Sequence, residues 1–308
     1  MTHDKDTVLN TKISAINTIQ HYGKSFSFAG SFLGKETFND SARLYKFCRI
    51  IDDIADLSED INASETKLLE ISEALMNEDY NYSNWLSDYL DLSKKYNIPK
   101  SYSKILIDGV LGDIYFDSIS DERELINYCF RVAGIVGLMM CKILKVDPKG
   151  LPHAIDMGIA MQLTNISRDV LEDATANRKY IPDTWLNITS KKIISPDSDL
   201  KYEIQKAIKE LIELSNKYYD SGNNGLSYIP FKSRIAIKFA SDIYRGIGVK
   251  IEQGGYNFLS GREYLNKFEK FKIILLSLFD LPKILFLKKT HNHEMHTLLE
   301  DEYLSKLK

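Results

Sequence analysis

The sequence predicts an all-α protein, and three observations predict it. Apolar residues recur three and four apart over long runs, the spacing of helices with one buried face. No segment alternates apolar and polar residues between hairpin turns, as a half-buried strand would. The seven prolines all fall between the helical runs or at a break within one. At 308 residues and 44% hydrophobic, the chain can bury a real core and is not disordered. No repeat, low-complexity tract or domain boundary interrupts it. Residues 1–308 therefore read as one domain of roughly ten helices.

Residues 1–12 are polar and expected to fray. A helix from Ile13 to Phe32 is broken at Gly23. Gly23-Lys24-Ser25 has the look of a phosphate loop, but Thr18 stands where that loop needs its first glycine and no strand precedes it. Lys24 and Ser25 remain as plain phosphate donors. Asn39-Asp40-Ser41 offers a cap for the next helix, which continues to Leu57. Helical runs follow at Ser64–Met76, Trp85–Tyr96, stopped by Pro99, and Ser101–Phe116. Asp113 and Asp117 at the end of the last are assigned to a site wall rather than to a ligand set. Glu122–Leu144 is long and apolar, but Arg131 and Lys142 interrupt it, so it reads as a core helix rather than a membrane span. Gly134 and Gly137 in its middle each cost about 1 kcal/mol against alanine. That cost points to close approach of another helix or a ligand.

Pro148 and Pro152 precede a further helix, and Pro182 ends its region. Thr189–Leu200 reads as a polar linker. Helices at Tyr202–Tyr219 and Ser233–Glu252 flank a turn at Gly222–Pro230. Gly254, Gly255 and Gly261 loosen the chain around Tyr256. Ile273–Leu287 is apolar but broken at Asp280, Pro282 and Lys283. With Lys288 and Lys289 behind it, this stretch suits a membrane surface as well as a core. Residues 289–308 form a polar tail, in which His291, His293 and His296 are assigned no metal.

The net charge of −3 gives no reason to expect nucleic acid. Cys48, Cys129 and Cys141 are odd in number and lack metal spacing, so no disulfide framework is expected. The polar N-terminus shows no signal-peptide pattern. A reducing cytoplasm fits.

Two stretches carry chemistry. In Gly158–Pro182, the side chains of Gln162, Asn165, Asp169 and Asp173 fall within about 80° of one another around a helix. Ile159, Leu163, Ile166 and Val170 supply apolar surface to bury the rest. In Ser41–Leu57, Tyr45, Arg49, Asp52 and Asp56 fall within about 60°. Each stripe holds carboxylates four residues apart. One such stripe could be a solvated face. Two facing each other make an acidic cavity that calls for Mg²⁺, a hard cation with oxygen ligands, and a polyanion to share it.

These residues resemble the squalene/phytoene synthase family, the head-to-head prenyl synthases. The resemblance runs from about His21 to about Tyr256. It rests on Asp52-Asp53-Ile54-Ala55-Asp56, on Tyr128 through Arg131, Gly134 and Gly137, and on Gly158 through Gln162, Asn165, Arg168-Asp169 and Asp173 to Arg178, Tyr180 and Pro182. Tyr218-Tyr219, Gly225-Leu226 and Ile243 through Gly248 look closest to bacterial phytoene synthases, with Lys232 standing where an arginine is expected. The resemblance implies an isoprenoid synthase fold with helices around a central cavity, and the joining of two allylic prenyl diphosphates. It implies Mg²⁺, with Mn²⁺ as substitute, on Asp52, Asp56, Asn165, Asp169 and Asp173. Diphosphate donors would be Lys24, Ser25, Arg49, Arg168, Tyr45, Gln162 and Tyr256, with Asp53 and Glu172 as weaker site candidates. Phe26, Gly30, Val132, Ile135 and Val136 would line the tail pocket. Gly30, one turn from Phe26, leaves room for a long tail. That favours geranylgeranyl diphosphate and phytoene over farnesyl diphosphate and dehydrosqualene, squalene or hydroxysqualene. No dinucleotide loop is present, so NADPH is not expected. A membrane surface, on the inner face, would receive the product. A non-catalytic assembly factor is disfavoured because every ligand position is filled, and a terpene cyclase because of the Tyr128–Gly137 block.

Overall fold

The computed structural model describes residues 14–56, 60–116, 118–286 and 290–305, without the side chains of 281–286, 302 and 304. Residues 1–12, Asp117, Lys288 and Lys289 lie outside the described residues. Among those described there is no strand, only an isolated bridge between Ser118 and Lys179.

Gly23 splits the first helical run into α1 (Ala15–Tyr22) and α2 (Lys24–Gly30). A side chain there would meet the Tyr45 ring at 2.9 Å, so the break and the packing of Tyr45 share one cause. Helix α3 (Lys35–Asp56) starts before the expected cap. Asp40 lies buried inside it, bound by Lys95 at 2.7 Å and Tyr96 at 2.6 Å. Then follow α4 (Ile61–Met76), α5 (Asn84–Tyr96) and α6 (Lys100–Ile114). Asp60 and Ser83 cap α4 and α5 by accepting from backbone N–H groups of the first turn.

Glu122–Leu144 is one apolar rod of three parts: α7 (Glu122–Cys129), a π-helical turn (Phe130–Gly134) and α8 (Ile135–Leu144). It is long and apolar enough to cross a membrane, but most of it is buried in the protein. Helix α9 (Leu151–Thr175) crosses it in close contact. A side chain at Gly137 would lie 2.5 Å from the Ala154 carbonyl, and one at Gly158 2.5 Å from that of Ala133. At Gly134 the nearest neighbours are Phe130 and Ile155. The mid-helix glycines thus serve the approach of another helix.

The expected linker at Thr189–Leu200 holds a short helix, α10 (Ser190–Ile194), and the start of α11 (Ser198–Asn224). Ile193 is buried, which a polar-composition reading misses. Helix α12 (Phe231–Gln253) follows, then α13 (Lys267–Phe286), which runs through Pro282 instead of ending there. The tail also departs from expectation. A 3₁₀ turn (His293–His296) and α14 (Asp301–Ser305) fold back on the body. Leu299 and Tyr303 are buried, Tyr303 stacks on Phe130 at 4.6 Å, and Asn127 bonds the backbone of Leu298 and Glu300.

Helix α9 packs most extensively on α11 and also meets α8, α10 and α12, while α3 packs among α1, α4, α5, α6 and α8. One continuous buried cluster runs from Leu44 to Tyr303. The two long acidic helices are therefore held in a single core.

Candidate active site

On α3, Arg49 organises the first acidic stripe. It pairs with the buried Asp53, lies 3.4 Å from Asp52 and sits under the Tyr22 ring. Asp53 thus faces Arg49 and the interior, apart from the open stripe. Arg49 Nε is buried without a hydrogen-bond partner, a donor held ready for an anion. Asp52 keeps 52% of its side-chain surface open, so it faces a cleft. Crowding by protein around that cleft, then the neighbouring Asp56, pushes it up to about 7.

On α9, Asn165 donates to Gln162 at 3.3 Å, and Asn165 Oδ1 is buried without a partner. Asp169 is gripped twice, by Arg168 at 2.7 and 2.6 Å and by Arg262 at 2.6 and 2.7 Å. Burial would raise its pKa, but these bonds outweigh burial and hold it below the usual carboxylate range. Asp173 has no such partner. Burial, then Asp169, pushes it up to about 8.

The two stripes meet at Arg178. Asn177, at φ 60°, ends α9 in the left-handed conformation that asparagine tolerates. The chain turns back with Arg178 N–H on the Asp173 carbonyl, and Arg178 bridges to Asp56 at 2.7 Å. The same guanidinium acts on Asp52, Asp113 and Asp173, and Asp56 acts on Asp173. Asp52 and Asp56 of α3 and Asp173 of α9 thus share one field. Asp113 of α6 joins them as a wall, bonded by Tyr128 at 3.0 Å and pushed up to about 7 by burial. Phe116, Tyr128 and Tyr180 stack beside it.

The remaining expected residues divide. Tyr45 lies in the field of Arg49, Asp52 and Tyr244. Lys24 is exposed, beside Lys270, and Ser25 is half-buried. Phe26 packs on Tyr244 at 4.7 Å and near Tyr45 at 6.2 Å. Tyr256 is not brought to the stripes, because its φ of 57° after two glycines turns it to Glu252 and Glu213. Tyr244 instead lies buried among Arg168, Asp169 and Arg262. Val132 and Val136 are half-buried, whereas Ile135 has no exposed surface and is core. A side chain at Gly30 would meet the Phe38 ring at 2.6 Å, so any effect on tail length would act through Phe38.

The sequence reading left Tyr244, Arg178 and Arg262 out of the site. The first two stood within blocks already singled out. Arg262 follows Gly261 in an irregular loop, where periodicity carries no signal. A cleft of about 470 Å³ opens between that loop and α9, lined by Arg168, Leu171, Glu172 and Arg262.

The profile of the squalene/phytoene synthases matches residues 19–269. The chain belongs to the squalene/phytoene synthase family. It is 30% identical over 277 residues to the 15-cis-phytoene synthase of Pantoea ananas, across 85% of this chain and 89% of that one. It is 29% identical to the 4,4'-diapophytoene synthase of Staphylococcus haemolyticus, across 83% and 92%. A dehydrosqualene synthase crystal structure superposes with a TM-score of 0.76 at 23% identity, covering 87% of this chain and 95% of that one. The chain is thus a prenyltransferase of the kind that serves carotenoid biosynthesis, with the all-α isoprenoid synthase fold.

Squalene/phytoene synthases depend on a divalent metal. The residues here fit one. Asp52, Asp113 and Asp173 are driven toward neutrality by burial and by neighbouring carboxylates, and the amide oxygen of Asn165, on the same helix as Asp173, is buried unpaired. A hard cation among them would relieve both costs.

Proposed function

We propose that this squalene/phytoene synthase condenses two geranylgeranyl diphosphates to phytoene, with Mg²⁺ and without a reductant, on the inner face of a membrane. The observation that carries the site is the shared field of Asp52, Asp56 and Asp173, centred on Arg178. Asp52, Asp56, Asn165 and Asp173 would hold Mg²⁺, with Asp169 joining once its arginines turn to phosphate. When bound, Mg²⁺ neutralises diphosphate and makes it a competent leaving group.

The chain's own residues do the rest. Arg49, Arg168 and Arg262 offer guanidinium forks to the phosphate oxygens, and Tyr45, Lys24 and Ser25 offer further donors. As the first diphosphate leaves, an allylic cation forms, and the 2,3 double bond of the second substrate attacks it. Loss of a proton from the adduct closes a cyclopropylcarbinyl diphosphate; its ionisation expels the second diphosphate, rearrangement makes the 1–1' bond, and loss of a second proton gives phytoene. Phe26, Val132, Val136 and Leu163 exclude water that would quench the cations to alcohols.

The relatives named phytoene synthase support the C20 substrate. The diapophytoene synthase relative favours a second reading, the same chemistry on farnesyl diphosphate. Incubating the purified protein with each diphosphate, with and without NADPH, and weighing the products separates them. Phytoene from the C20 substrate, unchanged by NADPH, is expected. Preferential turnover of the C15 substrate, or a need for NADPH, overturns the reading. Exposed Phe268, Phe271 and Phe279 beside Lys267 and Lys272 on α13 support the membrane surface.

A further inference from the structure

Toward the other end of α9, about 20 Å along the helix from Asp169, lies a second polar cluster. Asp156 has no exposed surface. Its Oδ1 lies 2.8 Å from His296 Nε2, and its Oδ2 lies 2.8 Å from His291 Nε2 and accepts from Ser221 at 2.5 Å. The His291 ring is 4.4 Å from that of His296 and meets His153 edge-on at 5.0 Å. His153 Nδ1 is 2.7 Å from the Ser221 carbonyl. One ligand atom from each of Asp156, His291 and His296 lies within 4.8 Å of the others.

The burial of the cluster points to a ligand. His291 has 4% of its side chain exposed, and its Nδ1 is buried with no hydrogen-bond partner. One ring nitrogen is tied to Asp156, and the other is a spare donor or lone pair sealed in the interior. Such a group is costly to leave unused. A wholly buried carboxylate also needs a cation. Metal bound at the Nε2 atoms would meet the carboxylate's need, while His291 Nδ1, on the far side of the ring, lies outside that site.

We propose that Asp156, His291 and His296 form a Zn²⁺-type metal site that staples the C-terminal segment to α9. Two imidazoles and one carboxylate suit Zn²⁺, which takes nitrogen and oxygen at about 2.0–2.2 Å, whereas Mg²⁺ and Ca²⁺ prefer oxygen alone. Sharing one ion would bring these atoms to about 3.3–3.5 Å of one another and replace the hydrogen bonds that now join Asp156 to the two rings. The burial of all three residues makes the site structural. Its purpose is legible in the tail, where Tyr303 stacks on Phe130 of the π turn and lies 3.4 Å from Arg131, next to Val132.

The test uses the untagged full chain, stripped of metal and held in excess Mg²⁺ so that the acidic site is occupied. Co²⁺ is titrated and read by its visible absorption, then displaced by Zn²⁺ and counted by metal analysis. One equivalent with a low-coordinate spectrum is expected. His296→Gln and His291→Ala should each weaken binding by more than about 10-fold, while Asp52→Asn retains the band. Zn²⁺ should also slow amide exchange across 290–305 in the parent but not in His296→Gln. No stoichiometric uptake by the parent chain overturns the proposal, as does uptake equally strong in both folded histidine variants. The parent titration is decisive even if a variant fails to fold, as checked by circular dichroism.

Discussion

Asp173 and Asp52 show most directly what the site costs the fold. An ordinary aspartate titrates near 3.8, yet the folded protein holds its proton until about 8 at Asp173 and about 7 at Asp52. Between these limits the unfolded chain is ionised and the folded one is not. Rising pH therefore removes stability through that window. Asp169 and Asp156, held low by arginine and histidine hydrogen bonds, act below 3.8 and do not mask it. The metal-free protein should melt at a lower temperature at pH 8.5 than at pH 6, and Mg²⁺ should raise the melting point more at pH 8.5. Equal Mg²⁺ shifts at both values would count against these carboxyls as ligands. Asp173→Asn should raise the melting point of the metal-free protein and lower kcat by about 100-fold or more. Tyr244→Phe should lower kcat/KM by about 10–100-fold, while Tyr256→Phe, turned to Glu252 and Glu213, leaves it near the parent value. Steady-state kinetics on the preferred diphosphate checks both tyrosines.

Helices α3 and α9 carry their stripes into register only because α9 can lie close on its neighbours. The contact between Gly158 and Ala133 sets that distance. A methyl group 2.5 Å from a backbone carbonyl cannot be relieved by turning a side chain. Gly158→Ala should therefore cost about 1–3 kcal/mol in urea unfolding. It should also lower kcat, because a shift of α9 moves Asn165, Asp169 and Asp173 together. The π turn beside it admits one extra residue per turn and re-aims Arg131 and Val132. Spacing within Glu122–Leu144 gave no warning of it, since three and four residue repeats look alike on either side of one inserted residue.

Across the whole molecule, the C-terminal segment folds back on α7, the π turn and α9. Its two histidines are the polar partners of a carboxylate with no surface, and Leu299 and Tyr303 are buried, Tyr303 against Phe130 of the π turn. Deleting residues 290–308 should cost about 3–5 kcal/mol, the penalty for a buried charge left alone. The loss, read by denaturant unfolding, should shrink when Asp156→Asn is added. Composition labelled this stretch a polar tail because its buried residues are few and irregularly spaced.

Helices, acidic stripes and the family's blocks were legible in the chain by itself, because each depends on neighbours within about two turns or on an uninterrupted motif. Asp52, Asp56, Asn165, Asp169 and Asp173 could all be picked out that way. Contacts between distant segments could not. Arg178 reaching Asp56, Arg262 on Asp169, Tyr244 beside Arg168 and Arg262, Phe38 behind Gly30 and the histidines on Asp156 were decided only in three dimensions. The physical reason is common to all. A side chain's role there is set by which remote surface its backbone faces, and periodicity within one helix carries no record of that.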